Sequence, residues 1–174
     1  NPSGKLSMSF PVNVGQIPIY YNHKMTGRPM QPTNKFSTKY LDVSNEPLYP
    51  FGHGLSYTTF TYSDVKLSSP NMSPGQTLTA SVTLTNSGKF DGTETVQLYI
   101  RDMVGSVTRP VKELKQFQQV FLKAGESKNI RFNITDVDLM FWNGKLEWDY
   151  ERGEFRAFIG SSSREVKEGT FILK

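Results

Sequence analysis

Five carboxylates cluster in the second half of a 174-residue chain: Asp136 and Asp138 as a pair, then Glu147, Asp149 and Glu151 as a run. A pair of carboxylates can hydrolyse a glycosidic bond, one acting as acid and the other as base or nucleophile. At period-two spacing the members of each set share one face of a strand. On a solvent-facing strand the same pattern is solvating charge, and the spacing alone favours that reading. His53, flanked by glycine in Phe51-Gly52-His53-Gly54, has no nucleophile or metal ligand near it in sequence. A packed turn explains it better than a titrating catalytic imidazole.

Other chemistries are excluded by what the chain does not contain. There is no cysteine, which removes thiol nucleophiles, iron–sulfur sites, Cys-ligated zinc and disulfides. Two histidines, His23 and His53, leave little for a multi-His metal site. No stretch supplies a D-x-[DN]-x-[DN]-G calcium loop, a G-x-S-x-G elbow or a glycine-rich phosphate cradle. The sequence thus assigns no catalytic, cofactor-binding or metal-binding residue. Asn71-Met72-Ser73 and Asn133-Ile134-Thr135 match the glycosylation acceptor pattern, the second on a strand reading as core.

The elements that would carry any site divide at residue 59. Residues 1–59 hold five basic and two acidic side chains, net +3, and seven of the ten prolines. Residues 60–174 hold 15 basic and 14 acidic side chains, net +1. The basic residues form no dense stripe, so nucleic acid is not the expected partner. No apolar run approaches ~18 residues, so no membrane span is expected. Seven prolines argue against helix and against central strands in the first part. Short extended pieces such as Leu6–Phe10 and Ile17–Tyr21 remain, with a coil at Arg28-Pro29-Met30-Gln31-Pro32. This arm is rich in aromatics (Phe10, Tyr20, Tyr21, Phe36, Tyr40, Tyr49, Phe51, Tyr57), unlike a disordered linker. It should lie flat on a surface and bury those rings. Asn1 follows no initiator Met, charged n-region or apolar h-region, which suggests that chemistry sits in residues ahead of it.

From Phe60 onward apolar residues alternate. Leu78, Ala80, Val82 and Leu84 share one face of Gln76–Asn86, with Thr and Ser on the other. Thr95–Arg101, Lys128–Thr135, Phe155–Ile159 and Val166–Leu173 repeat the pattern, and Phe60–Leu67 and Glu113–Leu122 follow it less regularly. Turns are expected at Asn86-Ser87-Gly88, Asp91-Gly92, Ala124-Gly125, Asn143-Gly144 and Arg152-Gly153. About seven short strands without helical periodicity predict an all-β, immunoglobulin-like or fibronectin type III-like β-sandwich at 60–174, preceded by the Pro-rich extended arm at 1–59. Trp142 and Trp148 are expected as core or inter-sheet plugs. Asp136–Trp148 breaks the rhythm, with Asp136 able to cap a short turn while Leu139, Met140 and Phe141 dip inward.

Several separated motifs resemble one enzyme family. Asn1–Pro11 (NPSGKLSMSFP) is similar to the end of the α/β sandwich domain of glycoside hydrolase family 3. Gly15–Gly27 (GQIPIYYNHKMTG) resembles the connecting segment of its β-glucosidases, and Pro47–Tyr62 (PLYPFGHGLSYTTFTY) the motif leading into its C-terminal fibronectin type III-like domain. Glu94–Arg101, Thr108–Leu114, Phe117, Leu122–Glu126 and Phe155–Ser161 match strands and loops of that domain. Ser7 stands where the family usually has Pro, and Arg152 in a turn that is often Glu-Pro-Gly.

The resemblance implies a parent enzyme: a retaining exo-β-glucosidase, periplasmic or extracellular, with carboxylates about 5–5.5 Å apart. It places the nucleophile in a barrel domain and the acid/base in or near the α/β domain, both ahead of Asn1. The implied partners of this chain are those two domains, with a β-glucoside or oligosaccharide as the parent's substrate. An arm left uncovered would favour homo-oligomers. A carbohydrate-binding or protein-interaction sandwich is the alternative, and it needs exposed stacking rings such as Tyr99 or Trp148.

Overall fold

The alternating runs form two facing sheets. The computed structural model describes residues 1–31 and 33–174; Pro32, the last residue of the coil read at 28–32, lies outside the described residues. After a 3-10 turn at Val14–Gln16 come β1 (Phe60–Tyr62), β2 (Lys66–Leu67), β3 (Asn71–Met72), β4 (Leu78–Asn86), β5 (Gly92–Asp102), β6 (Glu113–Leu122) and β7 (Ser127–Ile134). A one-turn helix α1 (Asp136–Leu139), the hairpin β8 (Phe141–Trp142) and β9 (Trp148–Asp149), then β10 (Gly153–Gly160) and β11 (Val166–Leu173) complete the chain.

In the first sheet β4 is central. It pairs with β7 on one side and with β1 and β2 in succession along the other. The second sheet runs β3-β11-β10-β5-β6, antiparallel except for β3 beside β11. The segments β1, β2 and β3 are thus one strand in pieces that changes sheets. Counted so, the sandwich has the seven strands read from the sequence.

Leu78, Ala80, Val82, Leu84, Ile130, Phe132 and Ile134 face Val96, Leu98, Ile100, Phe155, Ala157, Ile159, Phe171 and Leu173, all buried in one core. Each large side chain contributes about 1.5–3 kcal/mol by leaving water, and with no disulfide this packing must hold the sheets together. The carboxamides of Gln116 and Gln118 reach from β6 to the Asn133 and Arg131 carbonyls of β7, at 2.7 and 2.6 Å, closing one open edge. A bulge in the β5–β6 pairing lies at Leu98/Tyr99. It accounts for the irregular pattern in 113–122: Gln116 pairs with inward-facing Leu98, whereas Leu114 pairs with outward-facing Tyr99.

Trp142 and Trp148 are not core plugs. They are 62% and 48% exposed, and Phe141 is buried instead. Adjacent strand residues point to opposite faces, so burying Phe141 turns Trp142 outward. Trp148 is its cross-strand partner and takes the same side. The positive φ of this turn belongs to Leu146 (63°) rather than to Gly144. Leu139 goes inward as expected. Asp138, not Asp136, closes the start of α1, its carboxylate accepting from the Thr135 backbone N–H at 2.8 Å and hydroxyl at 3.1 Å.

In the arm, Leu6–Phe10 runs antiparallel to residues 48–53. Leu6 N–H donates to the His53 carbonyl and Gly52 N–H to that of Leu6; Phe10 N–H donates to the Tyr49 carbonyl, all at 2.8 Å. Ile17–Tyr21 forms no strand. Gln16 is buried and knots the arm internally, donating to the carbonyls of Ser44 (2.7 Å) and Glu46 (3.2 Å).

Candidate functional site

The outer face of β5 carries Thr95, Gln97 and Tyr99, and alternation alone would leave it wet. All three are buried, Tyr99 completely. The arm lies across this face, so the strand is covered on both sides. The Gln97 carboxamide is the hub. Its Nε2 donates to the Ser161 carbonyl (2.6 Å) and the Gly52 carbonyl (3.2 Å), and its Oε1 accepts the Tyr99 hydroxyl (2.5 Å). Gly52 has φ +79°, and a Cβ there would collide with the Gln97 carboxamide, so only glycine lets the arm approach this closely. Burial first, then the neighbouring Tyr21, pushes the Tyr99 phenol well above its ordinary pKa. It therefore stays protonated and donates.

Aromatic contacts follow the same seam. Tyr21 stacks on Phe51 at 4.2 Å, and both meet Tyr99 edge-on, at 5.8 and 6.5 Å. The Tyr21 hydroxyl accepts the Leu114 N–H, and the Thr95 hydroxyl donates to the Ser3 carbonyl. Lys112 donates to the Ser163 carbonyl at 2.7 Å and sits 4.5 Å over the Phe158 ring. Burial lowers its pKa. At the far end, Lys5 Nζ meets Glu94 Oε1 at 2.9 Å, and the Tyr62 hydroxyl donates to the same oxygen at 3.0 Å. Burial, reinforced by Glu94, drives the Tyr62 pKa upward. Nothing in spacing marks these partners; the only sequence signal is the polar Glu94 and Gln97 inside the apolar run ETVQLYI.

The carboxylates singled out by spacing are not brought together as one site. Asp136 accepts from the Gly75 N–H (2.7 Å), Asp138 from Thr135, and Asp149 from the Tyr150 N–H (2.8 Å). Glu147 accepts from Asn143, and Glu151 from the Ser106 N–H and hydroxyl. Asp138, Glu147 and Asp149 serve their own turns, whereas Asp136 and Glu151 tie down loops 61 and 45 positions away. His53 lies in a hydrogen-bonded turn and stacks on Tyr49 at 5.1 Å. Among the described residues no group of three or more His, Asp or Glu could hold a metal ion, and no helix is long and apolar enough to cross a membrane.

One further charged cluster is partly buried. Arg109 donates to Glu113 at 2.8 Å, lies 3.8 Å from Asp102 and covers the Phe141 ring at 4.1 Å. Burial raises the Asp102 pKa despite that cation, because the loss of water outweighs the attraction. The arm also leaves apolar side chains in water: Val14, Phe36, Leu41, Leu55 and Tyr57 are each at least two-thirds exposed. A cleft of about 350 Å³ between arm and sandwich is lined by Tyr20, Tyr21, His23, Glu46, Lys112 and Arg164 among others.

Comparison with known proteins decides the family. The fibronectin type III-like domain family matches residues 94–163. The chain is 53% identical to a periplasmic β-glucosidase of Salmonella typhimurium, over 99% of its own length and 23% of that protein. The chain carries the fibronectin type III-like domain of the glycoside hydrolase family 3 β-glucosidases. A putative β-xylosidase of Formosa agariphila is 43% identical across the whole chain and 22% of its own. The crystal structure of a Listeria innocua β-glucosidase in complex with glucose superposes with a TM-score of 0.92 at 45% identity, covering 99% of this chain and 24% of that one. The fibronectin type III-like chain thus spans about a quarter of the length of these relatives. The likeness covers arm and sandwich alike, so the clamped arm goes with the domain.

Proposed function

We propose that this chain is the structural brace of a longer retaining exo-β-glucosidase. In this reading the catalytic carboxylates reside in the barrel and α/β domains of the same enzyme, and no residue of residues 1–174 takes a catalytic, cofactor or metal role. The sandwich is the rigid base. The arm is fixed to it on one side through Gln97 and Lys5–Glu94, and offers its other side to the catalytic domains. The observation that carries this is the two-sidedness of the arm: Tyr21 and Phe51 pack inward against Tyr99, while Val14, Phe36, Leu41 and Tyr57 face water. Large apolar side chains left exposed in that number call for a partner.

The relatives named periplasmic β-glucosidase and β-glucosidase in complex with glucose support a terminal β-D-glucosyl substrate and a periplasmic or extracellular setting for the longer enzyme. The division at residue 59 belongs to the same proposal. So does self-association through the arm when those domains are absent. The test is an aryl β-glucoside assay on three samples: this chain, the catalytic domains made without it, and the two mixed. The expected result is no turnover by the chain and a gain in stable activity on mixing. Turnover by the chain alone, or no effect of adding it, would overturn the proposal.

A further inference from the structure

The chain has two tryptophans, and the fold places them opposite each other across the β8–β9 pair. Their ring centroids are 5.5 Å apart with planes inclined by 57°, and both are about half exposed or more. Two adjacent indoles turned to water are the largest aromatic surface a short hairpin can offer.

The hairpin is held at both ends. At its base, Phe141 is buried beneath the Arg109 guanidinium, which Glu113 anchors. Glu151, just past β9, is tied to Ser106. At its tip, the Asn143 carboxamide oxygen accepts the N–H groups of Lys145 (2.8 Å) and Glu147 (3.1 Å), and Asn143 N–H donates to the Glu147 carbonyl (3.0 Å). The rings thus stand on a supported backbone, and a ligand meeting them would lose little by ordering it.

Lys145 is exposed at the turn of the same hairpin, while Asp149 pairs with Phe141 and points to the face opposite the indoles. A pyranose has the matching character: C–H groups make its face apolar, and its rim is a ring of hydroxyls that donate and accept. Aromatic surface is the larger part of the usual make-up of a small-molecule site. We propose that Trp142 and Trp148 form a saccharide-stacking site that holds a β-linked gluco-oligosaccharide. The choice of sugar rests on the β-glucosidase reading above; the site itself rests on the geometry of the hairpin. Tyr99, the other ring considered for stacking, is wholly buried and takes no part.

Excited at the red edge of the indole band, where the eight tyrosines do not absorb, the fluorescence of this chain reports on these two residues alone. The experiment titrates the 174-residue chain with laminaritriose and cellotriose, with maltotriose as the α-linked control. A saturable blue shift with the β-linked sugars is expected, with Kd on the order of 1 mM. Trp142→Ala and Trp148→Ala should each weaken binding about three- to tenfold, the surviving indole serving as reporter, while Trp142→Phe keeps most of it. Circular dichroism checks that the variants keep the sandwich, since neither ring is in the core. Three results would overturn the site: emission unmoved by all three sugars, binding by calorimetry that survives the double alanine variant, or a blue shift that follows protein concentration without sugar and so marks a protein contact. The β-glucoside assay on the longer enzyme is read separately. Hydrolysis that persists with no sugar bound at the hairpin would remove this site and leave the β-glucosidase reading intact.

Discussion

Lys5 Nζ lies 2.9 Å from Glu94 Oε1, joining residues 89 positions apart. Their side chains are only 14% and 7% exposed. The Tyr62 hydroxyl donates to the same carboxylate oxygen, so the cation from the arm and the phenol from β1 share one anion on β5. This places the start of the arm against the sandwich core and fixes where the rest of the arm can lie.

Removing the cation leaves a buried carboxylate with one neutral donor. Lys5→Met should destabilise the chain by about 3 kcal/mol, since breaking a buried pair costs more than the pair contributes. Lys5→Met combined with Glu94→Leu should cost less than Lys5→Met alone. Urea unfolding of the four-member cycle measures the coupling, and additive effects would show that the pair is not coupled.

Gln97→Leu keeps the volume and removes three hydrogen bonds. The carbonyls of Gly52 and Ser161 and the Tyr99 hydroxyl all lose their Gln97 partner. At about 1–3 kcal/mol for each buried polar group left unpaired, the arm should detach before the sandwich unfolds. Limited proteolysis reads this as cleavage within residues 1–59 while the sandwich stays intact.

A chain beginning at residue 60 loses the cover over Thr95, Gln97 and Tyr99. That exposes an aromatic ring and a carboxamide evolved for a dry seam. Such a truncation should bind a hydrophobic dye and self-associate in sedimentation experiments far more than the full chain. A monodisperse, dye-silent truncation would show that the arm is dispensable to the sandwich.

Asp102 gives the pH dependence. Its folded pKa is raised by burial, so its contribution to stability is fully present below the unfolded value of about 3.9 and is lost as pH rises through the folded value. Asp102→Asn removes that loss. The stability of the Asn variant relative to the native chain should therefore climb as pH rises from about 4 to neutrality. Denaturant midpoints across that range check the slope, and a parallel offset at every pH would refute it.

Much of the sandwich is legible in the residues because alternation is a local consequence of strand geometry. Gln76–Asn86, Lys128–Thr135 and Val166–Leu173 each display it, and they form β4, β7 and β11 within a residue or two. The Glu113–Leu122 stretch reads poorly because a bulge swaps its faces halfway, and no residue type announces a bulge. Trp142 and Trp148 mislead for a related reason: hydrophobicity names both indoles as core, but the parity set by Phe141 turns them outward.

The sequence by itself determined the sheet-forming segments from Phe60 onward. Its separated motifs pointed to the family that the comparisons then bore out. These are matters of local pattern, carried by neighbours in the chain. Only the tertiary structure decided that the arm covers β5, that Gln97 binds Gly52 and Ser161 at once, that Lys5 finds Glu94, and that Asp136 and Glu151 find Gly75 and Ser106. Those are contacts between residues dozens of positions apart. Their partners are selected by which surfaces the packed sheets bring within hydrogen-bonding distance, and spacing along the chain does not encode that.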